Sequence, residues 1–142
     1  MMEMIIVLVI MGLVIAMTLP KIHGVLQKTN VRSARIAFGA LASKARAVAV
    51  QRGCTATLNF TTGSAGNVWV TACKVTGSGT DTVGTVNPLA TRFGTSISSS
   101  SSAVQYDPRG ISVGNTSYTV VFTASTGDKD SAMINPLGRV TR

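Results

Sequence analysis

The chain has 142 residues, of which 45% are apolar and only 13% are charged. This length allows one domain, and the composition is too apolar for a disordered chain. Thirteen Lys and Arg residues against five Asp and Glu residues give a net charge of +8, which favours an acidic partner or a membrane surface. Two cysteines and one histidine argue against a zinc cluster, and no residue pattern predicts a cofactor.

The first predicted element is an apolar helix. Residues 4–20 form a run of 17 residues without a charge. As a helix this run is about 25 Å long, at the short limit for crossing a bilayer. A signal peptide, the main alternative, would open on basic residues and end at a small-residue cleavage site. The run instead opens after Glu3 and ends at Leu19-Pro20-Lys21, so we predict a membrane-spanning helix over residues 1–20.

The helix is predicted to continue to residue 53. Apolar residues recur at spacings of three and four, which places them on one helix face: Val31, Ala34, Phe38, Leu41, Ala45 and Val48. Basic residues off this face are expected to point to solvent: Arg32, Arg35, Lys44 and Arg46. Pro20 lacks an amide hydrogen and is expected to kink the helix, whereas Gly53 is expected to end it. The apolar face of residues 21–53 is then free to pack on a domain.

A change of hydrophobic period from 3.6 to 2 predicts a small β domain over residues 54–142. Strands are predicted at 54–60, 68–75, 103–106, 117–124, 131–134 and 139–141. Turns are predicted at 61–67, Asp107-Pro-Arg-Gly110 and Asn135-Pro-Leu-Gly138. The serine run 98–102 is predicted to be a flexible loop. The expected fold class is α+β, with the long helix packed on a small antiparallel sheet or β-sandwich.

Two registers are open for the first β-hairpin. Cys54 and Cys73 lie symmetrically about its turn, so one register places them opposite each other, where a disulfide is geometrically allowed in an oxidising compartment. The other register, one residue away, pairs Phe60 with Val68. Because a one-residue slip moves every side chain to the opposite face, the two registers are expected to exclude each other. We favour the cysteine register, since a disulfide would fix it.

The order of these features resembles that of type IV pilins and type II secretion pseudopilins. The resemblance is closest from Glu3 to Gly12 and at Leu19-Pro20. Residues 42–53, the sequence Tyr106-Asp-Pro-Arg-Gly110 and the terminal Gly138-Arg-Val140 are similar to the minor subunits GspH, FimT and FimU. The resemblance therefore extends over the whole chain.

The resemblance implies a non-enzymatic filament subunit. Such subunits cross the inner membrane once, keep their C-terminal domain in the periplasm and join other pilin subunits through their N-terminal helices. In the family, the glutamate that Glu3 matches by its spacing to Pro20 neutralises the N-terminal amine of a neighbouring subunit. Pilin precursors carry a basic leader before this glutamate, and only Met1 and Met2 precede Glu3, so a preceding segment is expected.

The resemblance also implies an alternative function, DNA binding for uptake in natural transformation. FimT-like minor pilins bind DNA through arginines in a C-terminal Gly-Arg-x-Arg sequence. Here the tail reads Gly138-Arg-Val-Thr-Arg142, with the second arginine one place late. Residues i and i+3 of a strand lie on opposite faces, so the match is imperfect. The candidate DNA-binding residues are Arg139, Arg142, Lys129 and Arg109.

Overall fold

A computed structural model of the chain describes residues 2–142, apart from the side chains of residues 18–22. Its first element is helix α1, Met2–Arg52. The elements that follow are β1 (Ala56–Phe60), β2 (Asn67–Cys73), β3 (Thr80–Thr82), β4 (Asn87–Pro88), α2 (Leu89–Phe93), β5 (Thr95–Ser99), β6 (Ala103–Tyr106), β7 (Tyr118–Ala124), β8 (Lys129–Ile134) and β9 (Val140–Thr141).

Helix α1 has an exposed half and a partly buried half. Every side chain from Met2 to Met17 is exposed. Further along, one face is covered by the β domain through Val31, Ala34, Phe38, Ala42, Ala45, Val48 and Ala49. The predicted apolar face is therefore confirmed, although Leu41 is only partly buried. Small alanines on this face let the helix backbone approach the sheets closely.

The backbone of α1 is helical through residue 20. The kink predicted at Pro20 involves a side chain outside the described part, and it stays a prediction. Within the residues that the structure describes, no helix has both the length and the apolar character needed to cross a membrane.

The end of α1 is fixed by a glycine and a disulfide. Gly53 has a φ of 61°, and the amide of Cys54 donates to the carbonyl of Ala49 at 3.3 Å, the hydrogen bond of a Schellman motif. This confirms Gly53 as the helix stop. Cys54 and Cys73 form a disulfide with their Cα atoms 6.3 Å apart, which ties the end of α1 to the end of β2.

The favoured hairpin register is wrong, although the disulfide forms. Strands β1 and β2 pair Leu58 with Val70 and Phe60 with Val68, which is the other register. Cys54 precedes β1 and is still hydrogen-bonded to the helix, so the pleat of the strand does not determine where its side chain points. The expected conflict between the disulfide and this register therefore does not arise.

The strands form two antiparallel sheets. The first has the order β3-β2-β1-β6, with β4 also paired to β2, and the second has the order β5-β7-β8-β9. The amide of Gly63 donates to the carbonyl of Ile97 at 2.7 Å, which joins the sheets. Helix α1 packs on both, because the ring of Phe38 lies 5.6 Å from the rings of Phe60 and Phe122. The α+β fold with one shared core is thus confirmed.

The segment between β2 and β6 contains structure that the sequence did not predict. Strands β3, β4 and β5 and the short helix α2 lie there. Ser98 and Ser99 belong to β5, so the prediction of a flexible serine loop is wrong at its start. Thr95 and Ile97 are buried and attach β5 to the core, while the serines follow along the same paired strand.

Candidate functional site

The two predicted Pro-Gly turns are confirmed and have the same hydrogen bonds. Asp107 Oδ1 accepts the amide of Ile111 at 2.8 Å, and Asn135 Oδ1 accepts the amide of Arg139 at 2.8 Å. In each turn the fourth residue is a glycine with positive φ whose amide donates back to the carbonyl of the first residue. The turns place Arg109 and Arg139 at the protein surface, where both are exposed.

The two turns pack against each other on the ring of Tyr106. A Cβ atom on Gly138 would lie 2.6 Å from the carbonyl oxygen of Gly110 and 3.1 Å from the Tyr106 ring, so only glycine fits. The Tyr106 ring is fully buried, and its hydroxyl has no hydrogen-bond partner among the described residues. Burial raises the pKa of Tyr106 to about 12, and the positive charge of Arg46 partly opposes this shift.

An open groove of about 630 Å³ lies between the last turns of α1 and the second Pro-Gly turn. Arg46 and Arg139 are two of its lining residues, and Val50, which is 53% exposed, contributes an apolar surface. The prediction that Arg46 points to solvent is wrong, because Arg46 is partly buried and lies against the first turn at Gly110.

A second charged site surrounds Asp130 on strand β8. Arg35 Nε lies 2.8 Å from Asp130 Oδ2, and the two side chains are only 19% and 14% exposed. Arg142 Nε lies 3.7 Å from Asp130 Oδ1, with its own side chain 80% exposed. The prediction that Arg35 points to solvent is wrong. Position 35 is four residues after Val31 and three before Phe38, so it borders the buried face and meets the carboxylate there.

Next to this ion pair is a cavity of about 300 Å³ lined by Lys28 and Arg32 from α1, by Lys129 from β8 and by Arg142, which follows β9. We call Lys28, Arg32, Arg35, Lys129 and Arg142 the basic cluster. The structure therefore brings together two of the four candidate DNA-binding residues. Arg109 and Arg139 lie elsewhere: Arg109 is in the first Pro-Gly turn, and Arg139 directly follows the second.

The remaining predicted site residues lie on α1. Glu3 is in the first turn of the helix and is exposed. The backbone at position 20 is helical, as described above. Across the described part of the chain, no group of three or more His, Cys, Asp or Glu side chains is placed to hold a metal ion.

Comparison with known proteins identifies one matching family and two similar crystal structures. The family model of the type II transport protein GspH matches residues 37–138. Two crystal structures of the type IV minor pilin FimU from Pseudomonas aeruginosa PAO1 are similar. The first has a TM-score of 0.64 and 15% identity, covering 80% of this chain and 87% of FimU. The second has a TM-score of 0.59 and 16% identity, covering 78% of this chain and 90% of FimU.

No curated protein matches significantly. The fold is that of a minor pilin, with a long N-terminal helix packed on antiparallel sheets. The GspH match covers more than half of the chain, and the chain belongs to the family of type II transport protein GspH. The family resemblance found in the sequence is thus confirmed.

Proposed function

We propose that the chain is a minor pilin or pseudopilin, a non-enzymatic subunit that joins a pilus or type II secretion pseudopilus through the exposed half of α1. The observation that carries this proposal is the exposure of that half. Every large apolar side chain from Met2 to Met17 is between 53% and 82% exposed. A continuous apolar surface of this kind is stable only when lipid or other apolar helices cover it.

Two environments meet this requirement in turn. Before assembly, the uncharged run of residues 4–20 lies in the inner membrane as a single span, with the β domain in the periplasm. The Cys54–Cys73 disulfide supports this orientation, because disulfides persist in oxidising compartments outside the cytoplasm. After assembly, the same surface packs on the α1 helices of other pilin subunits.

Glu3 determines how the α1 helices of neighbouring subunits align with each other. A carboxylate in an apolar bundle is costly unless a cation neutralises it. Glu3 lies at the start of the exposed half, among apolar neighbours and in the first turn of α1. In the proposed filament it accepts the N-terminal amine of a neighbouring subunit, which aligns the two helices along the filament axis.

The test compares filament incorporation of the full chain and two charge reversals. Glu3→Lys should still enter the membrane fraction, but its yield in sheared filaments should fall about tenfold or more, since each 1.4 kcal/mol of lost pairing is a factor of ten. Asp81→Lys, which reverses an exposed acid on β3, should assemble like the parent.

Equal incorporation of Glu3→Lys and the parent would refute the pairing. Recovery of the full chain solely as a monomer in water without detergent would refute the whole proposal.

DNA binding is the second candidate function. The observation that favours it is the exposed Arg139 beside Arg46 in an open groove, since guanidinium pairs suit phosphate. The Arg139→Ala, Arg142→Ala double variant should weaken duplex binding and make it less dependent on salt, by about one charge for each of the two arginines that contacts a phosphate. A matched Lys74→Ala, Arg92→Ala variant should bind like the parent. Unchanged binding of the Arg139, Arg142 variant would exclude this tail as the DNA site.

A further inference from the structure

The basic cluster combines side chains from two parts of the fold. Lys28, Arg32 and Arg35 follow one another at spacings of four and three residues, which places them along one face of α1. Lys129 opens strand β8, and Arg142 follows strand β9. The acids beside these five cations are Asp128 and Asp130, so the cluster has an excess of three positive charges.

The two acids already have partners. Asp130 is paired with Arg35 and Arg142, and a carboxylate oxygen of Asp128 accepts the hydroxyl of Thr126 at 2.9 Å. Within the described residues, the three other cations of the cluster have no ion pair. Lys28, Arg32 and Lys129 are all exposed, and all three line the same cavity. Like charges held around one cavity repel, and an anion placed between them removes that repulsion.

A second copy of this chain offers few acids to neutralise the cluster. Besides Asp128 and Asp130, the chain has Glu3 at the start of α1, Asp107 and Asp81. Asp107 is occupied by the amides of its own turn. Asp81 is a single exposed acid on the short strand β3. One exposed acid cannot balance three positive charges, so a different kind of molecule is the better source of the anion.

The position of the cluster along α1 points to phospholipid headgroups. If residues 4–20 fill the hydrocarbon layer, Lys28 and Arg32 lie about 12 Å and 18 Å beyond it along the helix axis. The headgroup layer on each side is about 5–7 Å thick, and charges act over a Debye length of about 8 Å at physiological salt. Long basic side chains also extend back toward headgroups. Lys129 and Arg142 line the same cavity and so lie at a similar height.

We propose that the basic cluster docks the β domain on an anionic phospholipid surface while α1 is embedded in the bilayer. The phosphate of a headgroup occupies the space between Lys28, Arg32 and Lys129. Leaving the membrane for a filament breaks these contacts, so docking holds the unassembled subunit in one orientation. This inference rests on the membrane span of the proposed function.

The test uses the full chain in nanodiscs that carry a nitroxide-labelled headgroup lipid. One set contains phosphatidylcholine, and the other contains phosphatidylcholine mixed with phosphatidylglycerol. Paramagnetic broadening of the amide signals of residues 128–131 reports the docked domain, and residues 71–73 of the first sheet serve as the reference. Broadening of residues 128–131 should be strong only in the anionic discs. It should disappear at about 1 M salt, where the Debye length falls to about 3 Å.

A matched pair of variants identifies the residues. The first triple variant removes the three cations without an ion pair but keeps the pairing of Asp130; its substitutions are Lys28→Gln, Arg32→Gln and Lys129→Gln. Since each basic residue near an anionic surface is worth about a fivefold change in binding, the docking equilibrium should fall about 100-fold. The control Lys44→Gln, Lys74→Gln, Arg92→Gln removes the same charge elsewhere and should dock like the parent.

The contrary outcomes separate this inference from the proposed function. Incorporation into discs with equal broadening in both lipids would refute the docking and leave the membrane span in place. Failure to enter nanodiscs would refute the span and the docking with it. Equal loss of docking in both triple variants would refute the cluster as the site. Loss of DNA binding in the Lys28, Arg32, Lys129 variant, with lipid broadening unchanged, would assign the cluster to nucleic acid.

Discussion

At the scale of single residues, Asp130 connects three parts of the chain. It lies on β8 and binds Arg35 of α1 and Arg142 at the end of the tail. The Arg35 and Asp130 side chains are largely shielded from water, so their interaction is stronger than that of a surface ion pair. The contact of Arg142 is longer and exposed, and it contributes little to stability.

Asp130→Asn should therefore destabilise the β domain. The substitution keeps the side-chain shape but leaves the shielded guanidinium of Arg35 without its counter-charge, and we expect a loss of about 2 kcal/mol. Urea unfolding of the full chain in detergent measures this loss. Asp128→Asn, two residues away, should change the stability by less than about 0.5 kcal/mol. An Asp130→Asn protein with the same free energy of unfolding as the parent would show that the ion pair does not hold α1 to the second sheet.

The buried phenol of Tyr106 should make the folded protein less stable at alkaline pH. Its pKa is raised to about 12 in the folded state, against about 10 in an unfolded chain. Below pH 10 both states keep the proton, and between pH 10 and pH 12 only the unfolded state loses it. Stability should thus fall by about 1.4 kcal/mol per pH unit over that interval.

Tyr106→Phe should remove this part of the alkaline loss. It should also be neutral or stabilising by about 1 kcal/mol at pH 7, because it deletes a buried hydroxyl that has no hydrogen-bond partner in the described part of the chain. Denaturant unfolding at several pH values measures both effects. Tyr118→Phe is the matched control and should keep the alkaline loss of the parent. A pH profile of Tyr106→Phe identical to that of the parent would contradict the assignment.

At the scale of elements, the disulfide joins α1 to β2 across 19 residues of sequence. Closing a loop of this size restricts the unfolded chain and stabilises the fold by about 3 kcal/mol. The Cys54→Ser, Cys73→Ser variant should lose about this amount in denaturant unfolding. Reduction should destabilise the parent equally and leave the variant unchanged. An effect of reductant on the double variant would show that the disulfide is not the source.

The sequence predicts α1 better than it predicts the sheets. The buried face of α1 follows a local period, and Gly53 ends the helix by a local motif. Strand β5 and helix α2 depend instead on contacts with residues that are distant in the sequence. A Cβ atom on Gly66 would contact Ala90 and Ile97, so the β1–β2 turn, α2 and β5 meet at this glycine. No local pattern in residues 80–99 carries that information.

In the candidate site, too, some features follow from local sequence and others depend on long-range contacts. The exposure of Arg139 follows from the turn directly before it, and that turn can be recognised from its sequence. The meeting of Lys28 with Lys129 and Arg142 joins a helix to a strand and a chain end that are about 100 residues apart. Arg35 is predicted to point to solvent because it lies off the apolar face of α1. Its position at the edge of the apolar face was the signal for a shielded ion pair.

At the scale of the whole molecule, one helix has two surfaces with different roles. The half beyond residue 30 belongs to the core of the β domain, which gives it a fixed direction. The half before residue 18 contributes nothing to that core and exposes apolar side chains instead. This division suits a subunit whose folded domain is complete in itself and whose remaining surface is satisfied only by lipid or by neighbours.

Photo-crosslinking from that exposed half is the most direct test of this account. A photoreactive amino acid at Leu8, which is 68% exposed, is compared with one at Thr126 in the exposed turn between β7 and β8. We expect covalent adducts between Leu8 and the N-terminal helices of other pilin subunits in sheared filaments, and few adducts from Thr126. Filaments that contain the subunit but give no helix adducts from Leu8 would contradict it.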